Sequence, residues 1–307
     1  MISMRQHAVS LIAVFLALAL GLFLGSGFIG DRLNSLTGTD RDRYGKLQDE
    51  REDLSRQVNV DNGFITALQP KLVGGVLDKR GVLLVSAPDA ADADIQEIRG
   101  LINDAGGSLA GQIGLTTDLV RDQNGAKLGS IIDQSIPAGQ QLRVDYTDSG
   151  SRLGDLLGVT LLNRDGGKPV ADADRNNALQ ALREGGFITY TDGVKPASLV
   201  IVVTGGAQPS DAGAQGQLVG RLAVSLASRG QGGVLAGRAG SDGGGAAVAL
   251  VRSDPSMGKE IATVDDVDAQ VGRITTILAL GDAAAGRTGA YGTGQGASAI
   301  TVGGGKN

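Results

Sequence analysis

The N-terminal segment constrains this chain most, because no charged residue occurs between Arg5 and Asp31. Residues Ala8 to Ile29 read AVSLIAVFLALALGLFLGSGFI, which as a helix is long enough to cross a hydrocarbon core of about 30 Å. Arg5 precedes this run, whereas Asp31 and Arg32 offset each other after it, so the positive-inside rule predicts a cytoplasmic N-terminus. We therefore predict that residues 1–30 are a cytoplasmic tail and a single transmembrane helix in the inner (plasma) membrane, with the remaining chain outside the cytoplasm.

A cleaved signal peptide is the alternative for this segment. Ala17-Leu18-Ala19 has the small-x-small pattern of a cleavage site and follows a short apolar stretch. The apolar run continues for about ten residues beyond that site, which a signal peptide does not need. The length of the run favours the anchor.

Residues 31–76 are predicted to form a coiled-coil stalk, because apolar residues recur there at heptad spacing within densely charged sequence. Polar residues interrupt the seam, and Gly38, Gly45 and Gly63 each cost about 1 kcal/mol of helix propensity. A single amphipathic helix lying on its own globular domain is the alternative. Two anchors in one bilayer raise the effective concentration of the stalks and favour a homodimer. The predicted dimer interface comprises Leu33, Tyr44, Leu47, Leu54, Val58, Ile65, Leu68 and Leu72.

Residues 79–285 are predicted to form an α/β domain with a doubly wound, mostly parallel sheet. Short apolar runs alternate there with Ala/Leu-rich helical segments, a pattern typical of parallel strands that are covered on both faces. The predicted strands are Val82–Ser86, Leu199–Thr204, Val234–Ala236 and Ala247–Val251, and the clearest helices are Ala214–Arg229 and Val271–Leu280. Residues 286–307 form a Gly-rich tail that is predicted to be extended or disordered.

Composition excludes several kinds of chemistry. A formal net charge of -5 without a cluster of Lys and Arg argues against a nucleic-acid partner. The chain has no Cys, and its single His, His7, lies at the membrane edge, so no Cys nucleophile or His general base is available in the ectodomain. We expect no enzymatic activity and no cofactor.

Polar residues that follow the predicted strands are the remaining candidates for a ligand site. They form no recognisable catalytic constellation, but a bound nucleotide near Thr204-Gly205-Gly206 and hydrolysis by two carboxylates stay open as alternatives. Helix caps and turns account for these residues more simply. The set is Ser86, Asp89, Thr204, Gly205, Gly206, Asp211, Arg238, Ser253 and Asp254.

Four segments carry a resemblance to a known family. The opening MISMRQHAVSLIAVFLALALGLFLGSGFIGDRL, with Ile261–Asp266 (IATVDD), Gly272–Leu280 (GRITTILAL) and Gly286–Gly292 (GRTGAYG), resembles the actinobacterial copper transport outer membrane proteins, the mycobacterial copper transport protein B family. The resemblance covers essentially the full length. No functional residue is carried over from it, because the matching segments are anchor and packing segments.

The resemblance implies two different roles. A corynebacterial branch of the family implies cell separation, with a cytoplasmic-side division protein encoded nearby and a peptidoglycan hydrolase or its coiled coil as partners. Copper transport requires soft ligands for copper(I), and the ectodomain offers only Met257. We therefore predict a membrane-anchored scaffold that regulates septal peptidoglycan hydrolysis, with a copper transport or efflux component of the envelope as the alternative.

Overall fold

The computed structural model describes residues 28–164, 167–208 and 214–303, and describes side chains from residue 45 onward except that of Asp122. The predicted transmembrane segment, residues 8–29, therefore lies almost wholly outside the described residues. Across the three described ranges, no helix combines the length and the apolar character that a membrane crossing needs. The chain divides into two units, one that ends at Phe64 and one that begins at Ile65.

A single helix, α1 (Phe28–Val73), covers most of the predicted stalk. It runs through Gly45 and Gly63 without a break and ends directly before Gly74. Gly74 N donates to Pro70 O at 3.1 Å, and Gly75 takes the left-handed conformation, with φ +81°, that commonly follows a helix C-terminus. The helix accords with the predicted stalk, whereas its pairing into a coiled coil stays a prediction.

The second unit contains a seven-stranded sheet with the order β3-β2-β1-β4-β5-β6-β7. All neighbouring strands are parallel except β2 and β3, which are antiparallel. This topology confirms the predicted α/β class with a mostly parallel sheet. The strands are β1 (Gly81–Ser86), β2 (Ser108–Leu115), β3 (Ile188–Tyr190), β4 (Leu199–Val203), β5 (Gly232–Ala236), β6 (Ala262–Val264) and β7 (Ala290–Tyr291).

Helices cover both faces of the sheet, which explains why the central strands are apolar at nearly every position. Along β1, Leu83 and Val85 belong to one core cluster, while Val82 and Leu84 belong to the other. Side chains of a strand alternate between faces, so each cluster receives every second residue. The helices after α1 are α2 (Asp92–Asp104), α3 (Gly125–Gln134), α4 (Ser149–Leu161), α5 (Asp172–Glu184), α6 (Gln215–Ala227), α7 (Ala247–Ser253), α8 (Pro255–Gly258) and α9 (Gln270–Ala284).

The predicted strand Ala247–Val251 is wrong, because these residues form helix α7. Ala247, Val248 and Val251 are buried, whereas Ala249 and Leu250 are less buried, which is a helical pattern of burial. A five-residue apolar run does not reveal its period, so it fits a buried strand and a short helix equally well.

The segment predicted as a Gly-rich tail is bound to the sheet over its described part. Its residues Ala290 and Tyr291 form β7, which pairs with β6 as the seventh strand. Arg252 and Asp265, described below, hold the loop that follows β7. The sequence did not predict that this segment is ordered, because a high glycine content does not show which side chains elsewhere in the chain bind its backbone.

Candidate functional site

Three of the four segments that carry the family resemblance meet at the carboxyl end of β6. Asp265 and Asp266 end the segment IATVDD and directly follow this strand. Gly272, in the second segment, lies so close to Asp266 that an added Cβ would overlap its backbone oxygen. Gly292, in the third, is packed against the Asp265 carboxylate. These three segments therefore build one local structure.

A buried ion pair between Arg252 and Asp265 is the centre of this structure. The Arg252 Nη1 to Asp265 Oδ2 distance is 2.6 Å, and the two side chains are only 5% and 2% exposed. Arg252 also donates to Tyr291 O at 2.7 Å and Gln295 O at 3.0 Å, while Asp265 accepts from Thr293 N at 2.9 Å. The pair thus joins α7, β6 and the loop after β7.

Asp266 is the most perturbed carboxyl group next to this pair. Burial raises the pKa of Asp266 to about 6, and the nearby Asp265 and Asp268 carboxylates act in the same direction. Its Oδ1 atom is buried and accepts no hydrogen bond from the described residues. The raised pKa of Asp266 thus follows from its burial beside two other carboxylates.

A second ionic cluster joins α2 to the carboxyl edge of the sheet. Asp94 is buried, and its two carboxylate oxygens lie 3.2 Å from Arg238 Nε and 3.2 Å from Arg273 Nη2. Arg273 additionally donates to Val267 O at 2.9 Å. Asp94 thus binds two arginines from different parts of the chain, so the cluster serves packing between α2 and α9.

The order in which strands are added to the sheet reverses between β1 and β4, and doubly wound folds usually bind ligands at such a point. Asp89 and Thr204 meet there, with Thr204 Oγ1 donating to Asp89 Oδ1 at 3.2 Å, and Gln208 Nε2 donates to Asp89 Oδ2 at 2.5 Å. A Cβ on Gly205 would lie 2.8 Å from Asp89 O, which explains the glycine by close packing. Gly205 therefore allows the segment around Asp89, which follows β1, to pack closely against the end of β4.

The other nominated residues do not join a common site. Ser253 Oγ donates to Leu250 O within its own helix, and Asp254 caps α8 by accepting from Ser256 N at 2.8 Å. The hydrogen bonds from Ser256 lower the pKa of Asp254. Ser86 is buried in β1, Gly206 packs against the residues after β5, and Asp211 lies outside the described residues.

The predicted dimer seam is exposed along the first unit. Leu47, Leu54 and Val58 are 61%, 62% and 55% exposed, which is high for large apolar side chains. In the second unit, Ile65 packs against the core of the α/β domain and Leu68 is half-buried. Of the remaining predicted interface residues, Leu72 is exposed, whereas the side chains of Leu33 and Tyr44 lie outside the described set.

The soft ligands needed for copper(I) are sparse. The whole sequence contains no Cys, one His and three Met. Met257, the methionine of the α/β domain, packs against the apolar core. In the part of the chain that the structure describes, no three His, Cys, Asp or Glu residues are placed to hold a metal ion.

Sequence reasoning missed the Arg252–Asp265 pair, although both residues were visible as charges beside apolar runs. The exposed Val60 and Phe64 on α1 were also missed, because they lie off the heptad seam. A charge next to a buried strand is the signal that could have indicated the ion pair, but its partner depends on the tertiary fold.

Known proteins resemble this chain over almost its whole length. The family described as "Copper transport outer membrane protein, MctB" matches residues 1–302. The chain is 47% identical to proteins named Copper transporter MctB from Mycobacterium bovis and Mycobacterium tuberculosis, covering 98% of this chain and 99% of each relative. It is 46% identical, with the same coverage, to the Copper transporter MctB of Mycobacterium leprae. These matches confirm the resemblance found from the sequence, and the chain belongs to the MctB family.

Proposed function

We propose that this protein is a membrane-attached component of copper transport in the cell envelope. The observation that carries the proposal is similarity to proteins named copper transporters over 98% of the chain. The similarity includes the apolar N-terminal segment as well as the α/β domain. Attachment to a membrane is therefore part of the proposed function.

We further propose that the protein acts through contacts with other envelope proteins, without catalysing a reaction or carrying copper(I) itself. Copper(I) sites use Cys, Met or several His as ligands, and this chain offers few of them. Met257 packs against the core and His7 belongs to the N-terminal segment. The chain is thus better suited to assembling a transport system than to binding its cargo.

Complementation of a deletion strain tests both parts of this proposal. The strain should contain more copper than its parent, and the full-length gene should restore the parental level, measured by mass spectrometry of washed cells. The variant Met257→Leu conserves side-chain volume but removes the thioether, so it should restore the level equally well. An unchanged copper content in the deletion strain would refute the role, and a folded but inactive Met257→Leu protein would refute the indirect mechanism.

Regulation of cell separation is the second candidate function. The exposed seam of Leu47, Leu54 and Val58 favours it, because such a stripe is suited to pairing with another helix. The occupant would be a second copy of this chain, with the coiled coil of a peptidoglycan hydrolase as a further partner. A division protein on the cytoplasmic side would then connect the anchor to septum formation.

Microscopy of the same deletion strain tests the second candidate. We expect chains of unseparated cells, which the parental gene corrects and Leu54→Asp does not. Asn59→Asp is the matched control, because Asn59 is also exposed but lies off the seam. Normal separation in the deletion strain would exclude this function without affecting the copper proposal.

We propose that the anchor lies in the inner membrane with the N-terminus in the cytoplasm. The positively charged Arg5 before the apolar segment supports this orientation. A reporter enzyme that works only outside the cytoplasm should be active when fused after Asn307. Activity of a cytoplasm-only reporter at that position would show the opposite orientation. Recovery of the protein in the outer-membrane fraction would show that the anchor does not lie in the inner membrane.

A further inference from the structure

A basic groove lies at the amino-terminal edge of the sheet, where β1, β4 and β5 begin. It consists of two adjoining hollows of about 430 Å³ and 270 Å³ that share Asn163 and Arg164 in their walls. This edge is opposite to the one that carries Asp265 and Asp266, so the groove is separate from the site described above. Six cationic residues line it: Lys79, Arg80, Arg143, Arg164, Lys168 and Arg229.

Two of the arginines are fixed by the end of helix α6. Arg164 donates from Nε to Gly230 O at 2.8 Å and from Nη2 to Ser228 O at 2.9 Å, and Arg143 Nη2 donates to Ser228 O at 3.3 Å. Positive charge at a helix C-terminus is favourable, which explains why these residues occur here. Arg143 Nη1 also donates to Tyr146 Oη at 2.8 Å and to Ser228 Oγ, but other N–H groups of both guanidiniums remain for a ligand at a reduced entropic cost.

The groove carries a surplus of positive charge in a chain of formal net charge -5. Asp155 is fully buried and bonded to Arg229 at 2.6 Å, so it neutralises one cation. Asp78 is the one carboxylate among the lining residues that the structure describes. Lys79 and Lys168 are exposed, and neither forms a side-chain hydrogen bond or ion pair with another described residue.

We propose that this groove binds an extended polymer that carries phosphate groups at successive units. The six cations come from separate parts of the chain, which is why the sequence shows no cluster of Lys and Arg. Guanidinium forks and exposed ammonium groups are the two kinds of side chain that proteins use for phosphate. An insertion into lipid does not suit the surface, because Val159 and Leu162, the largest apolar residues of the lining, are each only 8% exposed. The inference is independent of the proposed role in copper transport.

Binding of inorganic polyphosphate to the full chain in neutral detergent micelles tests the proposal. The double variant Lys79→Glu, Lys168→Glu reverses two exposed charges while leaving the arginine caps intact. It should bind about tenfold more weakly at low salt, with a shallower dependence on salt concentration. The control variant Lys46→Glu, Lys259→Glu makes the same change in net charge elsewhere and should bind within about twofold of the parent.

Four results would overturn the inference. Equal weakening in both double variants would show a response to net charge alone, and no detectable binding by the parent at low salt would remove the site. Equal affinity for neutral dextran would show that phosphate is not recognised. Tighter binding of polyglutamate than of polyphosphate would show that the groove recognises acidic protein segments instead of phosphate. Matching circular dichroism spectra and melting temperatures are required of all variants, and the single variant Lys168→Glu, with a smaller expected loss, replaces the pair if Lys79→Glu prevents folding.

Discussion

Asp265→Asn should destabilise the α/β domain far more than its single-atom change suggests. The substitution removes the charge that faces Arg252 in a site where both side chains are almost completely buried. Leaving one charge of a buried pair without its partner typically costs about 3–5 kcal/mol. Arg252 keeps acceptors on Tyr291, Gln295 and Thr263, and the asparagine oxygen still accepts one backbone hydrogen bond, so we expect about 3 kcal/mol.

Urea denaturation of the full chain measures this loss, and hydrogen exchange locates it. Asp265 accepts hydrogen bonds from Thr293 N and Gly294 N. In Asp265→Asn, amide exchange in residues 290–303 should therefore accelerate relative to the parent protein, and by a larger factor than amide exchange in β1. Asp254→Asn is the matched control, since it makes the same chemical change at an exposed helix cap and should cause a smaller loss. A double-mutant cycle with Arg252→Met should give a coupling free energy of about 1–3 kcal/mol.

Two results would refute the reasoning on Asp265. If Asp265→Asn is as stable as Asp254→Asn, the buried pair does not stabilise the folded state as argued. If stability falls but exchange in residues 290–303 is unchanged, the pair supports the sheet without fixing the loop after β7.

The remaining predictions concern the adjacent carboxyl group, a packing glycine and the seam. Burial raises the pKa of Asp266 from 3.8 to about 6, so the folded state binds this proton more tightly and stability falls as pH rises between these values. Asp266→Asn should therefore melt above the parent at pH 7.5 and lose that advantage at pH 4; equal melting temperatures at pH 7.5 would contradict the shift. Gly272→Ala should lower the free energy of unfolding by about 1–3 kcal/mol or more, because its Cβ would overlap Asp266 O, whereas Gly63→Ala on open helix should not. Leu54→Asp should convert a dimer to a monomer in light scattering, and an unchanged mass would refute the seam as the dimer interface.

The sequence predicted the central part of the sheet well because those strands are buried on both faces. Runs such as LVIVV are apolar at every position, and such short, β-branched runs are typical of central parallel strands. It did not predict β2, whose sequence SLAGQIGL mixes glycine with polar residues, or β7, which has only two residues. Short or peripheral strands depend on their neighbours for pairing, and this information is distributed over distant parts of the chain.

The candidate site was less predictable than the fold because its groups act in pairs. The positions after β1 and β4 were found from the rule that ligands bind at the carboxyl ends of parallel strands, and Asp89 and Thr204 do meet there. Neither periodicity nor composition could indicate that Arg252 pairs with Asp265, because the two belong to different elements. Side-chain pairing therefore required the structure.

The two proposed functions make the same demand on the molecule, because in both proposals the chain acts through contact with other proteins and does not carry copper(I) itself. The variant Leu54→Asp therefore tests whether contact through α1 is needed, whichever of the two defects the deletion strain shows. If contact through α1 is the mechanism, this variant should fail to correct whichever defect the deletion strain shows, whereas Met257→Leu should correct it. A monomeric Leu54→Asp protein that restores copper content or cell separation fully would move the function from α1 to the α/β domain, where the basic groove and the ion clusters lie. The comparison needs only the parental protein, these two variants and the control Asn59→Asp, all expressed at equal levels in one strain.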